Sequence, residues 1–321
     1  MLIGGPSKGV LRCDHLTRRV DLSATLLLPT DGSEKDGWAF PVGAAFAELA
    51  GADIILVRVV NVAAGAHVRR FVERTIAKAS KRISAPAGTR VCCEVVDSDD
   101  TAAALLRMAE QRDVDLIVMA TRAASGIDRA VHGSVADRMV RESRRPIVVA
   151  PPGARHVQGK QLRLRRVLVP VDGSRASLSV LPDLQAWPLA SEIEVVLLQA
   201  APREPTGGYM MPVPMPPRRE PDAPIEWVHV NSERANDELN NLAARLRGRF
   251  ATIHVRVVER NDAAGAILDT GRSEDVDFIA MTTSGAGGLK RLLLGCVAQA
   301  VVRMSQVPVL LVTPGTPHTH P

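Results

Sequence analysis

Two aspartates stand where a strand-like apolar run stops. Val167-Leu168-Val169-Pro170-Val171-Asp172-Gly173-Ser174 ends abruptly in Asp-Gly-Ser, and Leu26-Leu27-Leu28-Pro29-Thr30-Asp31-Gly32-Ser33 does the same earlier in the chain. A carboxylate at the carboxyl end of a buried strand, beside glycine, is where open α/β sheets place a ligand. The chemistry suggested is recognition of a bound molecule rather than bond breaking. A helix cap or Asx-turn is the other role open to an aspartate here.

The second candidate is a glycine-rich loop, Met281 to Val297 (MTTSGAGGLKRLLLGCV). Glycines let backbone N–H groups approach a phosphate closely and adopt positive φ. Gly295-Cys296 then opens a predicted helix, whose N-terminus offers free N–H groups and a positive dipole to an anion. Lys290 and Arg291 add charge. The counterpart in the first half ends in Gly133-Ser134; close helix–strand packing is the alternative use of Gly133 and Gly295. Other signatures are missing. No G-x-x-x-x-G-K-[ST] or G-x-G-x-x-G follows a strand, and Ser33 and Ser174 have no histidine at a fixed spacing for a nucleophilic triad. His318 and His320 read as part of an unstructured tail, not as a metal site.

These residues need a scaffold that brings strand ends and helix starts together, and the apolar pattern supplies one. Strands are predicted near 24–30, 52–62, 89–96, 114–120 and 146–150. Helices fall near 33–49 (capped by Ser33), 67–83, 102–112 behind Asp99-Asp100, and from Ser134 to Ser143. The order repeats, with strands near 166–171, 192–199, 251–258, 276–281 and 307–313 and helices near 174–186, 231–247, 262–273 and 295–305. Strands alternating with helices imply α/β architecture: two tandem, doubly wound, five-stranded parallel sheets of Rossmann-like type. The expected division is an extension (1–23), a first domain (24–152), a linker (153–165), a second domain (166–314) and a tail (315–321). Asp172 follows Asp31 by 141 positions and Gly295 follows Gly133 by 162, so the second half carries a net insertion of 21 residues. Pro202 to Pro224 accounts for it, a proline density that forbids helix and favours an extended loop.

Composition bounds the functions further. The 321 residues carry 46% hydrophobic but only 3% aromatic residues, so the cores must be built from Ala, Val, Leu and Ile. A net charge of +5, with one Tyr and five Phe, gives no basic surface interleaved with aromatics, and nucleic acid is not an expected partner. No apolar stretch approaches the roughly 20 residues of a membrane span, nor does the N-terminus resemble a signal peptide. The four cysteines, Cys13, Cys92, Cys93 and Cys296, form no C-x-x-C pair. Free thiols in a reducing cytoplasm are the natural reading.

From residue 24 to 314 the chain resembles a tandem universal stress protein. That family has a strand ending in P-x-D-G-S and, after strand four, the motif G-x2-G-x9-G-[ST]. The resemblance implies a cytoplasmic stress-response protein binding adenine nucleotide, ATP with or without Mg2+, between the aspartate and the glycine loop. Carried onto this sequence, the second site comprises Pro170, Val171, Asp172, Met281, Thr282, Gly285, Gly295, Cys296 and Val297, with Asp172 at the adenine end. The first comprises Pro29, Thr30, Asp31, Met119, Ala120, Ala123, Gly133, Ser134 and Val135. Both depart from the motif. Ala123 replaces a glycine, which costs about 1 kcal/mol if that position needs positive φ. Cys296 replaces a hydroxyl residue and loses one side-chain phosphate contact. The second site is therefore the expected one. No general base or acid pair stands near these loops, so no catalytic residue and no metal site is assigned. Two other readings remain open: an interaction protein of the same fold with empty pockets, and a slow ATPase. Family members associate through the last strand, so Pro146–Ala150 and Pro308–Val312 are expected to join the halves as a pseudo-twofold pair; homodimerisation of whole chains is left open.

Overall fold

In the computed structural model, residues 24–32, 38–120, 134–152, 162–202, 232–283 and 294–315 are described. The apolar runs become ten strands of one sheet. The first half supplies β1 (Ala24–Pro29), β2 (Ala52–Val60), β3 (Val91–Asp97), β4 (Leu116–Ala120) and β5 (Ile147–Ala150). The second supplies β6 (Arg166–Pro170), β7 (Glu194–Ala201), β8 (Thr252–Glu259), β9 (Phe278–Thr282) and β10 (Val309–Val312). Their order is β3-β2-β1-β4-β5-β10-β9-β6-β7-β8. All pairing within each half is parallel. The one antiparallel junction is β5 with β10, where Val149 faces Val309, Val148 faces Leu310 and Ile147 faces Leu311.

The helices are α1 (Ala39–Ala50), α2 (Gly65–Ser80), α3 (Thr101–Gln111), α4 (Ser134–Glu142), α5 (Arg175–Leu178), α6 (Val180–Ala186), α7 (Ser232–Leu246), α8 (Ala263–Ser273) and α9 (Cys296–Met304). Alternation along each strand divides the core between the two faces of the sheet. Leu26, Leu28, Ile54 and Leu56 pack with Val42 and Phe46 of α1 and Ile76 of α2. Leu27, Ile55 and Val57 pack with Leu105 and Met108 of α3 and Met139 of α4. Both clusters continue into the second half, so the apolar interior is shared. Three of the nine aromatics meet at that joint. The Phe46 ring lies edge-on to Trp187 (centroids 6.0 Å apart) and to Phe278 (5.2 Å), linking α1 to residues after α6 and at the start of β9.

Two helix boundaries differ from expectation for one reason. α1 begins at Ala39 with Trp38 before it, so Ser33 is not its cap. The single helix expected over 174–186 is broken at Ser179 into α5 and α6. Pro41 and Pro182 each occupy the third position of α1 and α6. Proline donates no backbone hydrogen bond and crowds the preceding turn, so it is tolerated in a first turn and prevents the helix from extending upstream. Elsewhere the caps fall where the acids are: the Asp100 carboxylate accepts from Ala103 N–H and that of Asp262 from Gly265 N–H, both at 3.0 Å. Cys92 is buried, while Cys93 donates weakly to the Ile76 carbonyl at 3.8 Å and burial pushes its thiol pKa up. A thiol held protonated is a poor nucleophile. No helix among the described residues is long and apolar enough to cross a membrane. The proline-rich run lies, beyond Pro202, outside the described residues.

Candidate functional site

In each half the strand order runs outward from β1 to β2 and β3, then returns to β4 and β5 on the other side. The switch falls between β1 and β4, and between β6 and β9. Open sheets bind ligands in the crevice outside the carboxyl ends at such a point. The ladders splay there. β1 follows β2 as far as Pro29–Val57, whereas its register with β4 ends at Leu27–Ile117. Likewise β6 follows β7 to Pro170–Leu198 but β9 only to Leu168–Ile279. Pro29 and Pro170 have no N–H to carry a ladder further.

In the second crevice Val171 is buried and donates its N–H to the Leu198 carbonyl at 2.8 Å, which turns the exposed Asp172 out over the strand end. Oδ1 of Asp172 accepts from the Ser174 N–H at 3.0 Å and from its hydroxyl at 2.6 Å. Ser174 Oγ in turn accepts from the Ser177 N–H at 3.1 Å and so caps α5. Met281 and Thr282, both buried, close β9. Thr283 N–H then donates to the Val312 carbonyl at 2.9 Å and Gly295 N–H to the Thr283 carbonyl at 2.7 Å, so the start of α9 is tied to the end of β9. No side chain caps α9. Gly295 stands in its cap position, Cys296 is exposed in its first turn, and Val297 is half-buried against the core. An uncapped first turn retains N–H groups and a positive dipole for an anion. Gly285 lies outside the described residues.

The first crevice shares this backbone. Thr30 is buried, donates its N–H to the Val57 carbonyl at 2.9 Å, and accepts the Gly32 N–H on its hydroxyl at 3.0 Å. Asp31 is exposed beside it, and Met119 and Ala120 end β4. Ser134 opens α4, exposed, and Val135 packs half-buried on the core. Ala123 and Gly133 lie outside the described residues. The strand-end residues and helix starts named in the sequence thus surround two splayed crevices. Among the described residues no three His, Cys, Asp or Glu side chains gather to hold a metal ion.

Three features were missed. The Asp-Val-Asp triplet recurs at 113–115 and 275–277. Its second acid accepts a backbone N–H from the opening of the neighbouring strand, Asp115 from Thr25 at 2.8 Å and Asp277 from Arg166 at 2.8 Å, and Asp277 also accepts from Arg165 at 2.7 Å. Aligning the halves on each other would have found this triplet. Arg58 and Gln199, one residue beyond the last β1–β2 and β6–β7 pairs, occupy equivalent positions with different charge. Asp183 in α6 replaces the apolar Val42 of α1; it is 6% exposed, and desolvation by burial pushes its pKa up to about 7.

The sequence profile of the universal stress protein family matches residues 24–151 and 163–313. A universal stress protein of Mycobacterium tuberculosis is 29% identical over 206 residues, which are 62% of this chain and 59% of that relative. The chain thus matches less than two thirds of that relative's length. Another, from Methanocaldococcus jannaschii, is 26% identical over 151 residues, 46% of this chain and 81% of the relative. A solved universal stress protein from Archaeoglobus fulgidus superposes with a TM-score of 0.62 at 18% identity, covering 91% of this chain and 98% of that one. A putative one from Pseudomonas aeruginosa gives 0.62 at 13% identity over 91% and 94%. At these identities the superpositions speak for the fold.

Proposed function

The chain belongs to the universal stress protein family, and on that premise we propose that it binds adenine nucleotide, ATP, in the second crevice, as a stress-response regulator without fast turnover. The observation that carries this reading is the convergence of Asp172 and the uncapped start of α9 on the splayed ends of β6 and β9. In this reading Asp172 takes the adenine end, while Thr282, Gly285, Gly295, Cys296 and Val297 hold ribose and phosphates. Two domains, 24–152 and 166–314, form an intramolecular counterpart of a dimer; the antiparallel β5–β10 pairing and the aromatic trio support it. Free cysteines favour a reducing compartment such as the cytoplasm.

A second reading has its own observation. Asp172 Oδ1 already accepts two bonds from Ser174, so the carboxylate can serve purely as a turn. Asp172→Asn separates the two roles: the amide oxygen keeps the turn, while the amide nitrogen presents a donor where a carboxylate accepted. Calorimetry with ATP is expected to give one equivalent bound by the native chain and at least tenfold weaker binding by the variant. Absence of heat from the native chain, or equal affinity in the two, would leave Asp172 as a turn residue.

A further inference from the structure

The two crevices share a backbone but differ in one side chain that reaches the strand-end turn. Arg58 and Gln199 follow the equivalent strand pairs Pro29–Val57 and Pro170–Leu198. Each lies on the face of its strand that carries Ile54 and Leu56, or Val195 and Leu197. From there the Arg58 guanidinium folds back over Gly32. A Cβ built on Gly32 would collide with Arg58 Nη1, and Cζ lies 3.2 Å from the same point. The equivalent Gly173 has nothing within 4 Å among the described residues. Gln199 is shorter, neutral and 4% exposed.

We infer that Arg58 is the specificity-determining residue that closes the first crevice to nucleotide, by lying over the Asp31-Gly32 turn where the base of a nucleotide would rest. The inference rests on the ATP reading above for what an open crevice accepts. Two physical effects act together. The guanidinium takes up the space over Gly32, one residue along the chain from Asp31, and its fixed positive charge competes for the carboxylate that would otherwise accept from the ligand. In the second crevice a neutral amide stands at 199, and among the described residues no atom fills the space over Gly173. The inequality between the crevices therefore lies at the strand-end turn, in addition to any difference between the glycine loops.

The test measures ATP binding to the full chain by calorimetry in four forms: native, Asp172→Asn, Arg58→Gln, and both changes together. Expected are one site in the native chain and two after Arg58→Gln. The double variant is expected to bind through the first crevice at least tenfold more tightly than Asp172→Asn alone. The Asp172→Asn and double-variant pair reads the first crevice by itself, so it decides the inference even if the native chain fails to bind. Absence of binding by the native chain and by Arg58→Gln overturns both readings. A native chain that binds one ATP, with a double variant no tighter than Asp172→Asn, overturns only the role of Arg58. Arg58 is half-buried at a crevice mouth, so its replacement leaves the core intact; circular dichroism of each variant verifies that.

Discussion

The two halves of this molecule run the same backbone through two different sets of side chains. Thr30 and Val171 make the same hydrogen bond to the neighbouring strand, Pro41 and Pro182 sit at the same position of their helices, and Asp115 and Asp277 bind the same strand openings. Against that constancy, Arg58 stands opposite Gln199 and Val42 opposite Asp183. Ala123 replaces a motif glycine in one half, and Cys296 a motif hydroxyl in the other. The bonds that hold the sheet together recur in both copies, and so do the strand-end aspartates Asp31 and Asp172; the crevices part at the side chains around those carboxylates. What the fold needs must recur in each half, whereas the surroundings of a carboxylate are free to differ.

The comparison can be broken most severely at the joint. Phe46 is fully buried against Trp187 and Phe278 across the two halves. Phe46→Ala is expected to cost about 3–5 kcal/mol and to lower the urea midpoint of both halves in one transition. Two separate transitions, with only the first half shifted, would show that the halves fold independently.

Asp183 comes next. Its folded-state pKa is raised to about 7, above the ordinary carboxylate value, so the folded chain holds the proton more tightly than the unfolded chain does. Its contribution is therefore fully present below about pH 4 and is lost as pH rises toward about 7, by at most about 4 kcal/mol. Asp183→Asn, which cannot ionise, is expected to flatten this part of the stability profile and to unfold later than the native chain at pH 8. Urea titrations at pH 5 and pH 8 check it; an unchanged pH dependence would remove Asp183 from the account.

The crevices differ by less. Asp172→Asn should weaken ATP binding tenfold or more, in line with about 1.5–3 kcal/mol for a hydrogen bond to a charged group, while Asp31→Asn leaves it within twofold. Equal losses would make the crevices equivalent. The smallest effect belongs to Cys296→Ser, which restores a hydroxyl in the first turn of α9. It is expected to tighten binding about two- to fivefold, within the roughly 0.5–1.5 kcal/mol of a neutral hydrogen bond. A loss of affinity would place the thiol outside the phosphate contact.

Much of this was legible in the chain. Apolar runs marked most of the strands, β8 with its alternating Thr252, His254 and Arg256 being the weakest, and the repeated P-x-D-G-S marked the ends of β1 and β6. Helix starts after Asp100 and Asp262 were readable because a short acid caps by a local, sequence-near bond. The start of α1 was misread because Ser33 has the residue type of a cap, and the helix expected over 174–186 was not read as broken, although Ser174 caps only the four residues of α5. A proline deeper in the segment decided where each helix begins.

The residues alone carry what is local and repeated: strand and helix order, the duplicated carboxylate, and the departures at Ala123 and Cys296. These follow from short-range periodicity and from matching one half to the other. Tertiary structure alone decided the rest. The family resemblance pointed to the last strands as the joint, but the antiparallel register of β5 on β10, with Val149 facing Val309, came only from the structure, because apolar pattern specifies neither direction nor register. The aromatic trio and the burial of Asp183 depend on how helices from distant parts of the chain pack on one sheet face. The reach of Arg58 onto Gly32 depends on strand register, which sets the side-chain neighbours of a turn 26 residues away. Contacts between distant positions carry no periodicity along the chain, and the difference between the two crevices is made of such contacts.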